Sequence, residues 1–264
     1  MARLIHKFFQ TKTDFLTLRV CNSVFPRENL KKLCVLDSSF NPPHLGHYTL
    51  VKESINFSKG KISKDELAVL LLLSINNADK SSPQPAPFED RVEMMVRMGN
   101  FIKKNLQVDV IIGLTDKARF VDKKSSIINY IKCRLKKESV TELSFLVGYD
   151  TLIRILNPKY YLPVSLCTAL EDFFISLDLF CLSRDSPEES IQDQIHFIRK
   201  IANGEIEGVP EVWASKIHLV ANESTETSSI SSSTVRNMIK RGSDLLNFLI
   251  PEVANYILTN HPYN

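Results

Sequence analysis

The sequence has no apolar run long enough to span a bilayer. Its longest, Leu67 to Ile75, falls far short of the roughly 20 residues that a membrane helix requires, so it is expected in a core and no membrane partner is expected. The start, MARLIHKFFQTKTDFL, lacks both a continuous apolar stretch and a small-residue cleavage site, which argues against secretion. Cysteine is sparse and scattered: Cys21, Cys34, Cys133, Cys167 and Cys181 form no C-x-x-C pair, which removes the usual signature of a zinc or redox site. Reduced thiols in a cytoplasmic or nuclear compartment are the simpler expectation. A formal charge of +3 gives no ground for a nucleic-acid partner, although a local basic cleft for a phosphate-rich small molecule is compatible with it. There is no repeat and no composition shift that marks a domain boundary, so the 264 residues are expected to form one α/β domain spanning 1–264.

What is present is a series of continuous apolar runs. Leu33 to Leu36, Leu67 to Ile75, Val108 to Ile112, Leu143 to Val147, Leu177 to Leu182 and Lys216 to Val220 lack strict alternation, as strands of a parallel sheet buried on both faces do. Stretches with helical spacing separate them, among them His47 to Phe57, Phe88 to Asn105 and Ile191 to Asn203. This β-α-β-α order predicts right-handed crossovers and a single doubly wound sheet, with ligands beyond the carboxyl ends of the strands. Ser81 to Pro87 reads as a surface loop because its prolines remove amide donors, and Ala221 to Ser229 as a polar connection. The first 30 residues give no such signal.

Two segments carry chemistry. The first predicted strand runs into Asp37 to His47, DSSFNPPHLGH, and then into a helical stretch. Helix amides favour anions, and His44 and His47, three apart, lie on one face as two further donors. Taken alone, an H-x-x-H near a helix start is equally compatible with capping or metal binding. The second segment, Ile230 to Gly242, ISSSTVRNMIKRG, is again a loop entering a helix. Ser231, Ser232 and Ser233 precede its first turn, and Arg236 offers a guanidinium fork for phosphate oxygens. A capped surface helix ended by Gly242 is the alternative.

The first segment resembles the GxFxPxHxGH pattern of the nucleotidyltransferase superfamily, matching from Phe40 to His47 but with Ser38 at the family's first glycine. The second resembles the same superfamily's ISSTxxR motif, with Ser233 at the threonine and Arg236 at the arginine. Together they point to an adenylyltransferase rather than a cytidylyltransferase. Between them the chain resembles nicotinamide mononucleotide adenylyltransferases. Asn76 to Lys80 and Arg91 to Met95 are similar to the family's lysine loop and R-x-x-M helix. Leu146 to Leu152 is similar to L-x-G-x-D-x-L, with Gly148 and Asp150 in place, and Phe180 to Arg184 is similar to the strand and arginine that close the ATP site. LDSSFNPPH, NNADK and RxEMM occur together in a fungal subgroup of these proteins.

This resemblance covers most of 33–242 and implies a Rossmann-like fold, Mg²⁺ with ATP, and AMP transfer to nicotinamide mononucleotide to give NAD and pyrophosphate. It implies His44, His47, Lys80 and Arg236 as catalytic. It places ATP on Ser39, Phe40, His47, Gly148, Asp150, Arg184, Ser231, Ser232, Ser233 and Arg236, and the mononucleotide on Ser39, Phe40, Lys80, Arg91 and Tyr161, with no metal held by the protein. Tyr161 stands where the family commonly has a tryptophan against the pyridine ring; core packing beside Tyr160 is the other reading of that residue. Two rivals remain open: transfer to another phosphate acceptor such as nicotinic acid mononucleotide, and a regulatory protein that binds or weakly hydrolyses ATP.

Overall fold

The computed structural model describes residues 6, 8, 10, 13–20, 25–75, 86–135, 141–184, 189–222 and 230–263. One seven-stranded sheet organises them, in the spatial order β1-β4-β3-β2-β5-β6-β7. Six strands follow the apolar runs: β2 (Lys32–Ser38), β3 (Leu67–Ser74), β4 (Asp109–Thr115), β5 (Glu142–Gly148), β6 (Leu177–Leu182) and β7 (Ile217–Val220). All pair in parallel. The sequence reading missed β1 (Phe15–Val20), which pairs antiparallel with β4 at the edge. An edge strand has one ladder partner and reads FLTLRV, an alternating pattern too short to stand out.

Successive residues of the inner strands feed opposite cores. Cys34 and Leu36 of β2 pack with Val51 and Ile55 of α1 (Leu45–Ser58) and with Met94, Met95 and Met98 of α2 (Phe88–Leu106). Leu33 and Val35 pack on the other face with Ile127 and Ile131 of α3 (Phe120–Leu135) and Leu152 of α4 (Tyr149–Ile155). Phe173 and Phe174 of α5 (Leu166–Ser176) and Ile201 of α6 (Ile191–Ala202) complete that layer. The C-terminal α7 (Ser232–Arg241) and α8 (Pro251–Asn260) return to the first face, where Val235, Val253 and Ile257 are buried. This double burial is why the strands are apolar throughout.

The chain leaves β2 toward β3 on one side of the sheet, while β5 lies on the other side of β2. Strand order reverses there, and helices diverge to opposite faces, leaving a crevice at the carboxyl ends of β2 and β5. The first of the two chemistry-bearing segments leaves the end of β2, and the Gly148–Asp150 stretch leaves the end of β5.

Candidate active site

Beyond β2 the chain turns sharply. Phe40 has φ 44°, in the left-handed region that few non-glycine residues occupy, and its ring is fully buried. The Asn41 side-chain oxygen accepts the Ala86 amide at 3.0 Å, tying this turn to the approach of α2. His44 then caps α1 in extended conformation, and the helix has no acidic residue in its first turn. Its positive end therefore faces the crevice uncompensated by a carboxylate on its own first turn.

The two histidines form one unit. Their ring centroids are 3.8 Å apart, and the His44 amide donates to Nδ1 of His47 at 3.0 Å. Nε2 of His47 lies 2.9 Å from the Ser38 hydroxyl. Burial holds the His44 imidazole well below the ordinary histidine value of 6.5, and the neighbouring His47 and Arg184 add to the effect. His44 is consequently neutral at pH 7. Among the described residues no group of three His, Cys, Asp or Glu is arranged to hold a metal ion.

The second segment docks onto the first. Arg236 Nη1 donates to the Asn41 carbonyl at 2.8 Å, and the Ser232 hydroxyl donates to the Pro42 carbonyl at 3.0 Å. These contacts join positions nearly two hundred residues apart and bring the N-terminus of α7 beside that of α1. The serines divide their work differently from the expectation that all three would hold phosphate. Ser231 caps α7 by accepting the Thr234 amide at 3.1 Å, Ser232 is engaged in docking, and Ser233 accepts from Arg236 Nη2 at 3.0 Å. The capping alternative is thus realised at Ser231. The first amides of α7 have no acceptor within the helix, and with the remaining Arg236 donors they make this helix start electropositive.

Arg91 comes from the first turn of α2 and donates to the Ser39 carbonyl at 3.3 Å; burial lowers its pKa. Arg184 follows β6, and its backbone is clamped by the buried Gln194, which donates to the Arg184 carbonyl at 2.5 Å and accepts its amide at 3.2 Å. Gly148 caps α4 with an ordinary extended backbone, and a Cβ there would meet only Asp150 Oδ1 at 3.0 Å. Asp150 is exposed and pairs with Arg154 at 3.1 Å. Lys80 lies outside the described residues.

Residues 35–238 match the cytidylyltransferase-like family. The chain is also 35% identical over 235 residues to a Schizosaccharomyces pombe protein whose name, nicotinamide mononucleotide adenylyltransferase, is itself provisional; the match covers 88% of this chain and 86% of the relative. The chain belongs to the cytidylyltransferase-like family. Structures of Plasmodium falciparum nicotinic acid mononucleotide adenylyltransferase, one complexed with NaAD and one with APC, superpose with a TM-score of 0.54 each. They are 16% and 14% identical and cover 88% of this chain and 97% of the other, a likeness of fold.

Within this family frame one expected residue is displaced. Tyr161 is only 4% exposed, and its hydroxyl donates to the Ile155 carbonyl at 2.8 Å. Burial pushes its phenol up to about 12, against the opposing effect of Arg119. Both ring and hydroxyl are engaged in the core, so stacking on a ligand would require the side chain to leave it. The packing alternative is the one realised, because Tyr160 is the more exposed of the adjacent pair.

Two features escaped sequence reasoning. Asp37 and Lys123 form a buried ion pair at 2.6 Å beneath the end of β2; burial raises the Asp37 carboxyl, and Lys123 opposes that. Tyr263, next to last in the chain, buries a hydroxyl that has no hydrogen-bond partner among the described residues. Burial raises its phenol, while the charges of Arg236 and Arg91 oppose the rise. Nothing local in NHPYN signals that position.

Proposed function

We propose that this chain transfers AMP from ATP to the 5′-phosphate of a pyridine mononucleotide, nicotinamide mononucleotide first among them, giving NAD and pyrophosphate. The observation that carries this reading is the docking of Arg236 and Ser232 onto the Asn41–Pro42 turn, which sets two anion-binding helix starts side by side at the strand-order reversal. One α-phosphate can sit between them. The acceptor's phosphate oxygen attacks the α-phosphorus in line, the new P–O bond forms as the bond to the β-phosphate oxygen breaks, and pyrophosphate leaves with the electron pair. The acceptor is already ionised, so no general base is required, and the work of the site is positioning and charge neutralisation.

Arg236, Arg184 and the α1 amides neutralise the transferring group in this proposal, with His47 part of the donor network beside them, Lys80 joins them, and Arg91 with Ser39 and Phe40 line the acceptor side. Mg²⁺ would be held by ATP oxygens and water, which suits a site where the described residues form no carboxylate cage. The provisional name of the Schizosaccharomyces pombe relative supports the nicotinamide acceptor, and the Plasmodium titles keep nicotinic acid mononucleotide beside it. The four described cysteines are free, which fits a cytoplasmic or nuclear compartment. The test incubates purified protein and Mg-ATP with a panel of mononucleotides and measures each dinucleotide directly. NAD or its deamido form is the expected product; phosphate release without any dinucleotide would replace this reading with ATP hydrolysis.

A further inference from the structure

We propose that the Ser38 hydroxyl, rather than the His47 ring itself, donates the hydrogen bond that reaches the transferring phosphate. This rests on the adenylyl-transfer reading. Nδ1 of His47 accepts the His44 amide at 3.0 Å, which leaves Nε2 as the ring nitrogen that carries a proton. That Nε2–H points at Ser38 Oγ, 2.9 Å away, and the Phe40 amide approaches the same oxygen at 3.4 Å. With two donors converging on its oxygen, the hydroxyl must direct its own proton elsewhere. Among the described residues that proton has no acceptor.

The ring cannot readily swing round the serine to a phosphate. His47 is only 8% exposed, with the His44 ring at 3.8 Å and the Phe40 ring at 5.2 Å. A phosphate oxygen seeking Nε2 would have to displace Oγ from its place. Ser38 itself is half-buried at the end of β2, where the crevice opens. A phosphate there accepts from Oγ–H, and the two donors behind the hydroxyl polarise that bond. No proton changes owner. The glycine that the family pattern has at this position has no side chain to act in this way, so the serine changes which atom touches the substrate and leaves the histidine one bond back.

The test uses full-length protein with Ser38→Ala, Ser38→Gly and Ser38→Thr, each checked for a wild-type thermal transition. Ala and Gly should each lower kcat about a hundredfold with KM for ATP within about threefold of wild type, while Thr should keep most activity. A Gly variant as fast as wild type or faster would overturn the proposal, because it would show that the hydroxyl obstructs or is idle. Phosphorus NMR of a bound β,γ-imido ATP analogue separates this from failure of the reaction assignment, since it requires no turnover. The α-phosphorus resonance should differ between wild type and Ser38→Ala at similar affinity. Identical resonances would refute the contact even if no dinucleotide were ever formed.

Discussion

Replacing Arg236 with lysine keeps the charge but removes the geometry. The guanidinium directs Nη1 to the Asn41 carbonyl at 2.8 Å and Nη2 to the Ser233 hydroxyl at 3.0 Å, two acceptors lying on different segments. A lysine presents its donors from one atom at the end of a flexible stem and can satisfy one of these directions while facing phosphate. A hydrogen bond involving a charged group contributes about 1.5–3 kcal/mol. At about 1.4 kcal/mol per factor of ten, loss of one such contact in the transition state predicts a fall in kcat/KM of roughly 10- to 150-fold. Because the lost contact also docks α7 on the Asn41–Pro42 turn, affinity for a non-hydrolysable ATP analogue should fall as well, which calorimetry measures separately from turnover. Dinucleotide formation followed by chromatography supplies the rate. A variant that stays within about twofold of wild type in kcat/KM would show that the fork geometry is immaterial and would remove Arg236 from the phosphate site.

The remaining expectations concern single groups. His47→Ala should lower kcat at least about a hundredfold with the fold intact, and near-normal turnover in a direct product assay would remove the ring from the donor chain. His44 is held neutral by burial, so the unfolded chain binds a proton that the native site refuses; stability is full above the ordinary value of 6.5 and falls as pH drops below it. Urea midpoints between pH 7.5 and 5 should therefore decline more steeply for wild type than for His44→Gln, and parallel curves would contradict the burial argument. Tyr161→Phe should lose about 1 kcal/mol of stability through the unpaired Ile155 carbonyl while leaving the mononucleotide KM unchanged. Cys133 and Cys167 are exposed and should alkylate quickly in the native protein, whereas Cys34, pushed up to about 11 by burial, should label only after unfolding; early label on Cys34 by peptide mass mapping would count against the packed β2 core.

The inner sheet was legible because burial on both faces writes itself into the chain as uninterrupted apolar runs. Leu177 to Leu182 is a strand with those same ends, and Leu67 to Ile75 overshoots β3 by one residue. The end of β2 was read two residues short because Asp37 and Ser38 look like loop; the Lys123 ion pair lets a carboxylate finish a buried strand. Helices α3, α4, α5 and α8 were not singled out. In α3 only Ile127 and Ile131 of the apolar positions are fully buried, a narrow stripe among lysines and serines. The segments 76–85 and 223–229, including the Lys80 loop, lie outside the described residues.

At the site, residue types and strand ends were readable, but the choice among hydrogen-bond partners was not. A serine near a helix start can cap, dock or hold phosphate, and sequence alone gives no rank order among them. Here Ser231 caps, Ser232 docks and Ser233 braces Arg236, and the reason lies in the Asn41–Pro42 turn that only the folded sheet brings within reach. In the proposed reading, the α7 half of the anion site is therefore amides and one guanidinium, while the three serine hydroxyls of that segment hold it in shape. Ser232→Ala should then act at a distance: it removes a docking bond of about 1 kcal/mol without removing any phosphate donor. Affinity for ATP would fall by up to roughly fivefold, in step with α7 loosening, and hydrogen exchange of the α7 amides should rise in the same variant. Weaker binding with unchanged exchange would mean that Ser232 touches the nucleotide after all, and that the docking bond breaks when ATP arrives.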